Sequence, residues 1–455
     1  MTPASAATAV PTRARTRTRA RFGIVAMLFL ITAINYADRA TLSIAGPSLS
    51  KELGLDAVAM GYVFSAFGWS YVLAQLPGGW LLDRFGSKRV YFVSIFTWSV
   101  FTLLQGGISW LAATTGTAVV ALFSLRLLVG LAEAPSFPAN GRIVAAWFPA
   151  NERGTASAVF NSAQYFATVL FAPVMGWITH VWGWPCVFYF MGVVGIAGAL
   201  LWRKVIHDPV THPGVNREEL DYIERGGGLI RMDQAEHTQS GTFIDKTPKW
   251  KYIRQLLSNR MLLGIYIGQY CITTLTYFFL TWFPVYLVKE RGMSILNAGF
   301  VAALPAICGF VGGVLGGIVS DFLLRHGRSL TMARKTPIVI GMLLSTSMIA
   351  CNYVQSSTLV VAIMALAFFG KGLGALGWAV VSDTSPKEIA GLSGALFNTF
   401  GNTAAITTPI VIGYLVKGTG SFSAALVFVA ANALVAVFCY LFVVGTIRRV
   451  ELFRR

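Results

Sequence analysis

Two charged residues lie inside one apolar stretch of the chain, from Leu122 to Arg142. The stretch is long enough to cross a bilayer, and it contains Arg126 and Glu133. A charge at mid-membrane costs upward of ~3 kcal/mol, so such residues usually face a bundle interior or a water-filled path. They are about two helical turns apart, roughly 10 Å along one face. Pro135 and Pro138 remove backbone donors one turn further on, so we expect the helix to bend or loosen there.

Three more ionisable residues lie in apolar spans. Asp38 and Arg39 interrupt the first span, and Lys371 lies near the middle of the tenth, too deep to reach the interface easily by snorkelling. One interpretation is a set of structural ion pairs between helices. The other is a site for an anionic substrate and a proton, because a buried carboxyl can carry a proton and an arginine can grip a carboxylate.

The composition indicates a polytopic membrane protein. Of the 455 residues, 55% are hydrophobic and 12% are charged, about half the charged fraction of a soluble protein. Apolar runs of about 20 residues recur along the chain, as bilayer-spanning helices require. The net charge of +17 resides mainly in short loops between these runs. We therefore expect lipid headgroups, and not nucleic acid, to be its partner.

Motifs for enzymatic or cofactor chemistry are missing from the sequence. The run from Gly370 to Gly374 lies inside an apolar span, so it does not resemble a phosphate-binding loop. Five cysteines are scattered over apolar spans, a pattern that fits neither a disulfide framework nor a metal site: Cys186, Cys271, Cys308, Cys351 and Cys439. We expect a protein that is not an enzyme and holds no metal or organic cofactor, with protons as its coupling ion.

The apolar runs predict an all-α integral membrane protein with twelve transmembrane helices. They lie near residues 22–45, 58–82, 89–109, 116–139, 154–180, 184–204, 260–287, 296–323, 336–354, 358–382, 389–416 and 421–446. The predicted organisation is a disordered tail (1–21), a six-helix bundle (22–204), a linker (205–258) with one surface helix, a second six-helix bundle (259–447) and a short tail (448–455).

Charge and internal repetition support this organisation. With the N-terminus inside, 29 of the 36 Lys and Arg residues fall on the inner side, so we expect both termini to be cytoplasmic. Gly79-x-x-x-Asp83-Arg84 is echoed by Gly317-x-x-x-Asp321 with Arg325, at an offset of 238 residues, and Asn161 is echoed by Asn398, at 237. Six-helix parallel repeats of this kind are the architecture of major facilitator transporters.

Longer motifs resemble one family within that superfamily. The segment PGGWLLDRFGSKR (Pro77 to Arg89) resembles the superfamily's loop signature. Segments over nearly the whole chain, such as NYADRATLSIAG (Asn35 to Gly46) and GLAEAPSFPANGRIVAAWFPANERGTA (Gly130 to Ala156), are similar to the anion:cation symporter family. Within it, the likeness is closest to bacterial glucarate/galactarate permeases, then to galactonate permeases. The resemblance implies proton-coupled import of sugar acids across the bacterial inner membrane.

The resemblance also implies roles for individual residues. It places proton coupling on Asp38 and Glu133, with Arg126 as their charge partner. It places the substrate among Tyr36, Arg39, Tyr71, Gln164, Gln269, Trp378 and Asn398. Polar side chains expected before Trp378 in a galactonate permease are replaced here by Ala375, Leu376 and Gly377, which fits the glucarate type better.

Residue chemistry agrees with a sugar-acid site. A carboxylate is best bound by the planar fork of an arginine, and a row of hydroxyls by amides and phenols. Amides at mid-span, such as Asn161, Gln164, Asn398 and Asn402, supply such groups, although each alone is equally explained by an interhelical hydrogen bond. We add Lys371 to the substrate site, and Asp83, Arg84, Asp321 and Arg325 as gate residues that lock one conformation.

The prediction is therefore proton-coupled secondary active transport of an aldarate by a monomer in the bilayer. A permease or exchanger for another organic anion, such as an aldonate or an aromatic acid, stays open. From a different class, a non-transporting membrane sensor stays open too. Accumulation of substrate separates a transporter from a sensor.

Overall fold

A computed structural model describes residues 17–111, 114–149, 152–231, 249–386 and 389–451. This part of the chain is helical and contains no strand. Predictions that concern residues 1–16 of the tail, 232–248 of the linker and 452–455 at the C-terminus lie outside the described residues.

Twelve long helices account for most of the described chain. They are α1 (Ala20–Glu52), α2 (Ala57–Phe85), α3 (Ser87–Gln105), α4 (Thr115–Trp147), α5 (Arg153–Trp182), α6 (Trp184–Val205), α7 (Arg260–Lys289), α8 (Ile295–Arg325), α9 (Leu330–Tyr353), α10 (Ser357–Thr384), α11 (Ala390–Thr419) and α12 (Ser423–Val443). Eleven of them are long and apolar enough to cross a membrane. The remaining long helix is α3, with 19 residues. The predicted all-α membrane fold is confirmed, while the domain boundaries stay a prediction.

Several spans are interrupted where their sequence weakens the helix. In α4 one segment, Thr115–Glu133, ends two residues before Pro135, and a second, Ser136–Trp147, follows that proline. The predicted break after Glu133 is thus confirmed, because proline cannot donate the hydrogen bond that would continue the helix. A matching interruption in α10 separates Ser357–Leu373 from Gly377–Thr384.

The bundle has two ends, which we name by what they carry. The linker end carries Asp83, Asp321 and the linker, and the distal end carries Glu52 and Lys417. At the distal end α2 packs against α11, and α5 packs against α8. A Cβ added to Gly61 of α2 would lie 2.6 Å from the carbonyl oxygen of Pro409 in α11, so only glycine permits this close approach.

Polar contacts also join the six N-terminal to the six C-terminal helices at the distal end. Asp56 and Lys417 form an exposed ion pair of 2.8 Å, and Ser43 donates a hydrogen bond of 2.8 Å to the carbonyl oxygen of Thr281. Near the linker end, in contrast, a Cβ added to Gly79 or Gly317 would meet no heavy atom within 4 Å. The distal end is therefore where these contacts hold the two groups of helices together.

The described parts of the linker form short helices, Arg217–Arg225 and Lys249–Ser258, where one was predicted. Glu219 of the first accepts hydrogen bonds from the backbone of Ala20 and the guanidinium of Arg21, residues that the sequence analysis placed in the tail. Arg21 also pairs with Glu152 at 2.9 Å. Burial alone would raise the pKa of Glu152, but hydrogen bonds from Tyr222 and Arg21 lower it below its usual value. This cluster fastens the start of the linker to α1.

Candidate functional site

Four charged side chains meet in the interior between α1 and α4. Asp38 and Arg39 lie on α1, and Arg126 and Glu133 lie on α4. All four are buried, with exposed fractions from 0% for Glu133 to 6% for Arg39. Their burial follows from the sequence, because a charge that faced lipid would be far more costly than one in the bundle interior.

The central interaction is an ion pair between Arg39 and Glu133. The Nε atom of Arg39 donates to Oε2 of Glu133 at 2.9 Å. Within the described residues, the Nη2 atom of Arg39 and the Oε1 atom of Glu133 are buried without a hydrogen-bond partner. Each partner of the pair therefore keeps an unused bonding position, which a ligand or a proton can occupy.

The resemblance implied Arg126 as the charge partner of both acids, whereas the direct ion pair is formed by Arg39. Arg126 makes no ion pair within the described chain, although Asp38 and Glu133 both act on it electrostatically. The physical reason is distance, because Arg126 and Glu133 are about two turns, roughly 10 Å, apart along α4. Arg39 reaches Glu133 from α1 instead.

Asp38 has a separate environment. Thr102 of α3 donates its hydroxyl to Oδ2 of Asp38 at 2.9 Å, and Oδ1 is buried without a partner among the residues that the structure describes. Arg126 lies with its guanidinium 5.8 Å from the ring centre of Phe67. Two buried carboxylates and two buried arginines thus share this site, and the structure directly pairs only Arg39 with Glu133.

Aromatic rings surround the guanidinium of Arg39. Its Cζ atom lies 5.0 Å from the ring centre of Tyr36, 4.5 Å from Phe67 and 4.9 Å from Tyr71. Phe67 and Tyr71 are stacked at 5.1 Å. Rings over a guanidinium stabilise its charge and fix its plane. The structure therefore brings together Tyr36, Arg39 and Tyr71, as the resemblance implied.

A central cavity lies between the two groups of helices. The space between its atoms, including the part open to solvent, is about 630 Å³. Its walls combine polar residues with aromatic and aliphatic ones from both groups: Tyr36, Ala40, Ile44, Gln164, Tyr165, Thr168, Ala172, Thr276, Phe279, Leu280, Phe283, Pro284, Ala302, Pro305, Ala306 and Phe368. Of the predicted substrate residues, Tyr36 and Gln164 line it directly.

The other predicted substrate residues are not among those that line this cavity. Asn398 of α11 donates a hydrogen bond of 3.1 Å to Oε1 of Gln75 in α2, which connects the two groups of helices. Gln269 donates to Thr273 at 3.2 Å and lies against Gly377, the residue before Trp378. Trp378 is 58% exposed, so its part in binding stays a prediction.

Lys371 of α10 is buried, and its ammonium faces two of the aromatic cavity walls. The Nζ atom lies 5.6 Å from the ring centre of Tyr165 and 5.1 Å from that of Phe368. Sequence reasoning missed these walls and Phe67, because an aromatic residue in an apolar span looks the same whether it faces lipid, protein or cavity.

The predicted gate residues behave differently in the two repeats. Asp83 forms an ion pair with Arg142, whereas Arg84 lies over the rings of Trp80 and Phe85. In the described part of the second repeat, Asp321 and Arg325 make no ion pair.

The second repeat uses other residues at the linker end. Arg334 pairs with Asp383 at 2.8 Å and donates to Ser320 at 2.9 Å. Asp321 is thus equivalent to Asp83 in the sequence repeat but does not form the equivalent ion pair within the described residues. The gate role of all four predicted residues stays a prediction. Among the described residues, no group of three His, Cys, Asp or Glu side chains is placed to hold a metal ion.

In a comparison with known proteins, the sequence model of the Major Facilitator Superfamily matches residues 28–334 of this chain. The chain is 68% identical over 441 residues to the "Probable galactarate/D-glucarate transporter GudP" of Bacillus subtilis (strain 168), covering 97% of this chain and 95% of that protein. It is 42% identical over 444 residues to the "D-galactonate transporter" of Escherichia coli O6:H1, covering 97% and 99%.

Among solved structures, the "D-xylose-proton symporter" superposes with a TM-score of 0.69 at 17% identity, covering 93% of this chain and 98% of that one. At that identity the likeness concerns the fold alone. The two identities, 68% and 42%, follow the order of resemblance that the motifs predicted.

Proposed function

Because the chain belongs to the Major Facilitator Superfamily and is a multi-pass membrane transporter, we propose that it imports the aldarates glucarate and galactarate together with protons. The observation that carries the substrate class is the 68% identity, over 97% of the chain, to a protein named a probable galactarate/D-glucarate transporter. The observation that supports coupling to protons is the buried Arg39–Glu133 pair beside the central cavity.

The site offers the contacts that a sugar acid requires. One carboxylate binds the guanidinium of Arg39, whose Nη2 atom is free to donate and whose plane is fixed by three rings. The hydroxyl groups of the sugar acid meet Tyr36 and Gln164 in the cavity wall, since phenols and amides both donate and accept hydrogen bonds.

Coupling follows from competition for Arg39. While Glu133 is ionised, its carboxylate occupies Nε of Arg39, and a substrate carboxylate would add a second negative charge beside it. Protonation of Glu133 removes that repulsion and releases Arg39 to the substrate. Proton binding therefore favours substrate binding, and the reverse holds by the same amount. Asp38 is the second acid that can carry a proton in this site.

Alternating access supplies the movement. The two groups of helices are in contact at the distal end through Asp56–Lys417, so the present conformation admits substrate from the linker end. Rocking of one group against the other would open the distal end around the same cavity. We place the protein in the bacterial inner membrane as a monomer, with the linker end and both termini cytoplasmic. It needs no cofactor other than the proton.

Uptake by the full chain in proteoliposomes tests the proposal. Vesicles with an acidic exterior should accumulate labelled galactarate above the external concentration, and a protonophore should abolish the accumulation. An exchanger would instead require vesicles preloaded with substrate, and a sensor would bind galactarate without accumulating it. If the vesicles took up galactonate or an aromatic acid but not galactarate, the substrate would be another organic anion and not an aldarate.

A further inference from the structure

Lys371 is a buried cation without a counterion in the part of the chain that the structure describes. Its side chain is 5% exposed, and in the described part of the chain no carboxylate forms an ion pair with it. Its Nζ atom lies over the rings of Tyr165 and Phe368, both of which line the central cavity. Rings compensate a buried cation only in part, since cation–π contacts are weaker than a paired and hydrogen-bonded charge.

A count of the buried charges shows that the positive charge of Lys371 is not balanced by a buried acid of the described chain. Apart from the linker-end pair of Arg21 with Glu219, the buried ionisable acids and bases of the described chain are Asp38, Arg39, Arg126, Glu133 and Lys371. The two acids and two arginines cancel when all are ionised. A single positive charge, that of Lys371, then remains beside the cavity, and a second, that of Arg39, is released when Glu133 takes up a proton.

The internal repeat places Lys371 opposite Glu133. Lys371 follows Glu133 by 238 residues, the same offset that relates Gly317 to Gly79. Both lie at the end of the first segment of a broken helix, Glu133 before the interruption of α4 and Lys371 before that of α10. Parallel repeats are related by an axis along the membrane normal, so equivalent positions lie on opposite sides of the central cavity.

We propose that Lys371 binds the second carboxylate of a dicarboxylate substrate while Arg39 binds the first, and that this residue selects aldarates over aldonates. The inference rests on the proposed function and specifies which group of the substrate each half of the protein holds. A substrate held by Arg39 on α1 and Lys371 on α10 connects the two groups of helices. Binding of a dianion then neutralises both cations, whereas a monoanion leaves Lys371 uncompensated.

Galactarate and galactonate form a matched pair of ligands, since they differ only at one terminal carbon, a carboxylate in the first and a hydroxymethyl group in the second. We expect Lys371→Met to weaken galactarate binding to the purified full chain roughly 10- to 100-fold, the range for one charge-assisted hydrogen bond. Galactonate binding should stay unchanged or improve, because the variant no longer buries an unpaired charge. Lys371→Arg should recover part of the galactarate affinity.

Lys289→Met is the matched control, since Lys289 lies at the distal end of α7, outside the cavity, and should alter neither affinity. Equal losses of galactarate and galactonate in Lys371→Met, or no loss of either, would overturn the inference while leaving aldarate transport intact. A wild-type protein that binds neither galactarate nor glucarate would instead overturn the proposed function. Retained galactonate binding verifies that the variant is folded.

Discussion

Replacing Glu133 by glutamine tests the coupling directly, because the substitution keeps the shape of the side chain and removes its titration. The introduced amide would still accept a hydrogen bond from Arg39, but no longer as an ion. The pair in the native protein is 2.9 Å long with both side chains buried. Hydrogen bonds to charged groups contribute ~1.5–3 kcal/mol against ~1 kcal/mol for neutral ones, so we estimate a loss of about 0.5–2 kcal/mol.

That loss should appear as a gain in substrate affinity. Wild-type protein at neutral pH must release Arg39 from the ionised Glu133 before a substrate carboxylate can take its place, whereas the variant gives up only a weaker, neutral hydrogen bond. An energy of about 0.5–2 kcal/mol corresponds to roughly 2- to 30-fold in Kd. We therefore expect Glu133→Gln to bind galactarate about 2- to 30-fold more tightly near pH 8, with a smaller advantage at lower pH, where Glu133 of the wild type is protonated more often.

The assay combines binding with transport. Kd is measured by calorimetry at several pH values, and uptake is measured in proteoliposomes with and without a pH gradient. The variant should exchange labelled for unlabelled galactarate but lose accumulation driven by the gradient. Glu290→Gln is the matched control, because Glu290 is exposed at the distal end. Gradient-driven accumulation at the wild-type level, or a Kd that varies with pH as steeply as in the wild type, would refute the reasoning.

Two further predictions concern Arg39 and the distal ion pair. Arg39→Lys keeps the charge but loses the planar fork, so galactarate affinity should fall while the protein still elutes as a folded monodisperse species; unchanged affinity would remove Arg39 from the substrate site. Asp56→Ala breaks the contact with Lys417 and should increase the population open at the distal end, measured by distances between spin labels, with reversal in the swapped double variant Asp56→Lys, Lys417→Asp. The backbone N–H of Ala59 and the ammonium of Lys417 lower the pKa of Asp56 below its usual value. The Asp56–Lys417 ion pair is therefore intact above pH ~4 and is lost only as the pH falls through that lowered pKa. Between pH 5 and 8 the distal contact should consequently not respond to pH, and a marked response there would contradict the assignment.

Much of the fold followed from the sequence for simple reasons. Hydrocarbon thickness fixes the length of a spanning helix, so the spans could be counted before any packing was known. Pro135 predicted the interruption of α4 because its missing N–H does not depend on the surroundings. The interruption of α10 has no proline at Gly374–Gly377, and sequence reasoning missed it.

The choice of partners did not follow from the sequence. Arg39 and Glu133 are 94 residues apart in the chain, and nothing in their spacing favours that pair over Arg126 with Glu133. Similarly, the sequence repeat predicted Asp321 as the counterpart of Asp83, yet the ion pair of the second repeat is Arg334–Asp383. A repeat preserves the course of the backbone more faithfully than the identity of the charges along it.

The sequence by itself determined that five ionisable side chains must lie inside the bundle, because no charge at that depth can face lipid without a large cost in free energy. Only the tertiary structure decided that Arg39 belongs to Glu133 and that Lys371 has no acid partner in the described chain. The physical reason is that the free-energy cost of facing lipid depends only on the depth of a residue within its own helix. Which charges form pairs depends instead on which helices are neighbours in the folded bundle.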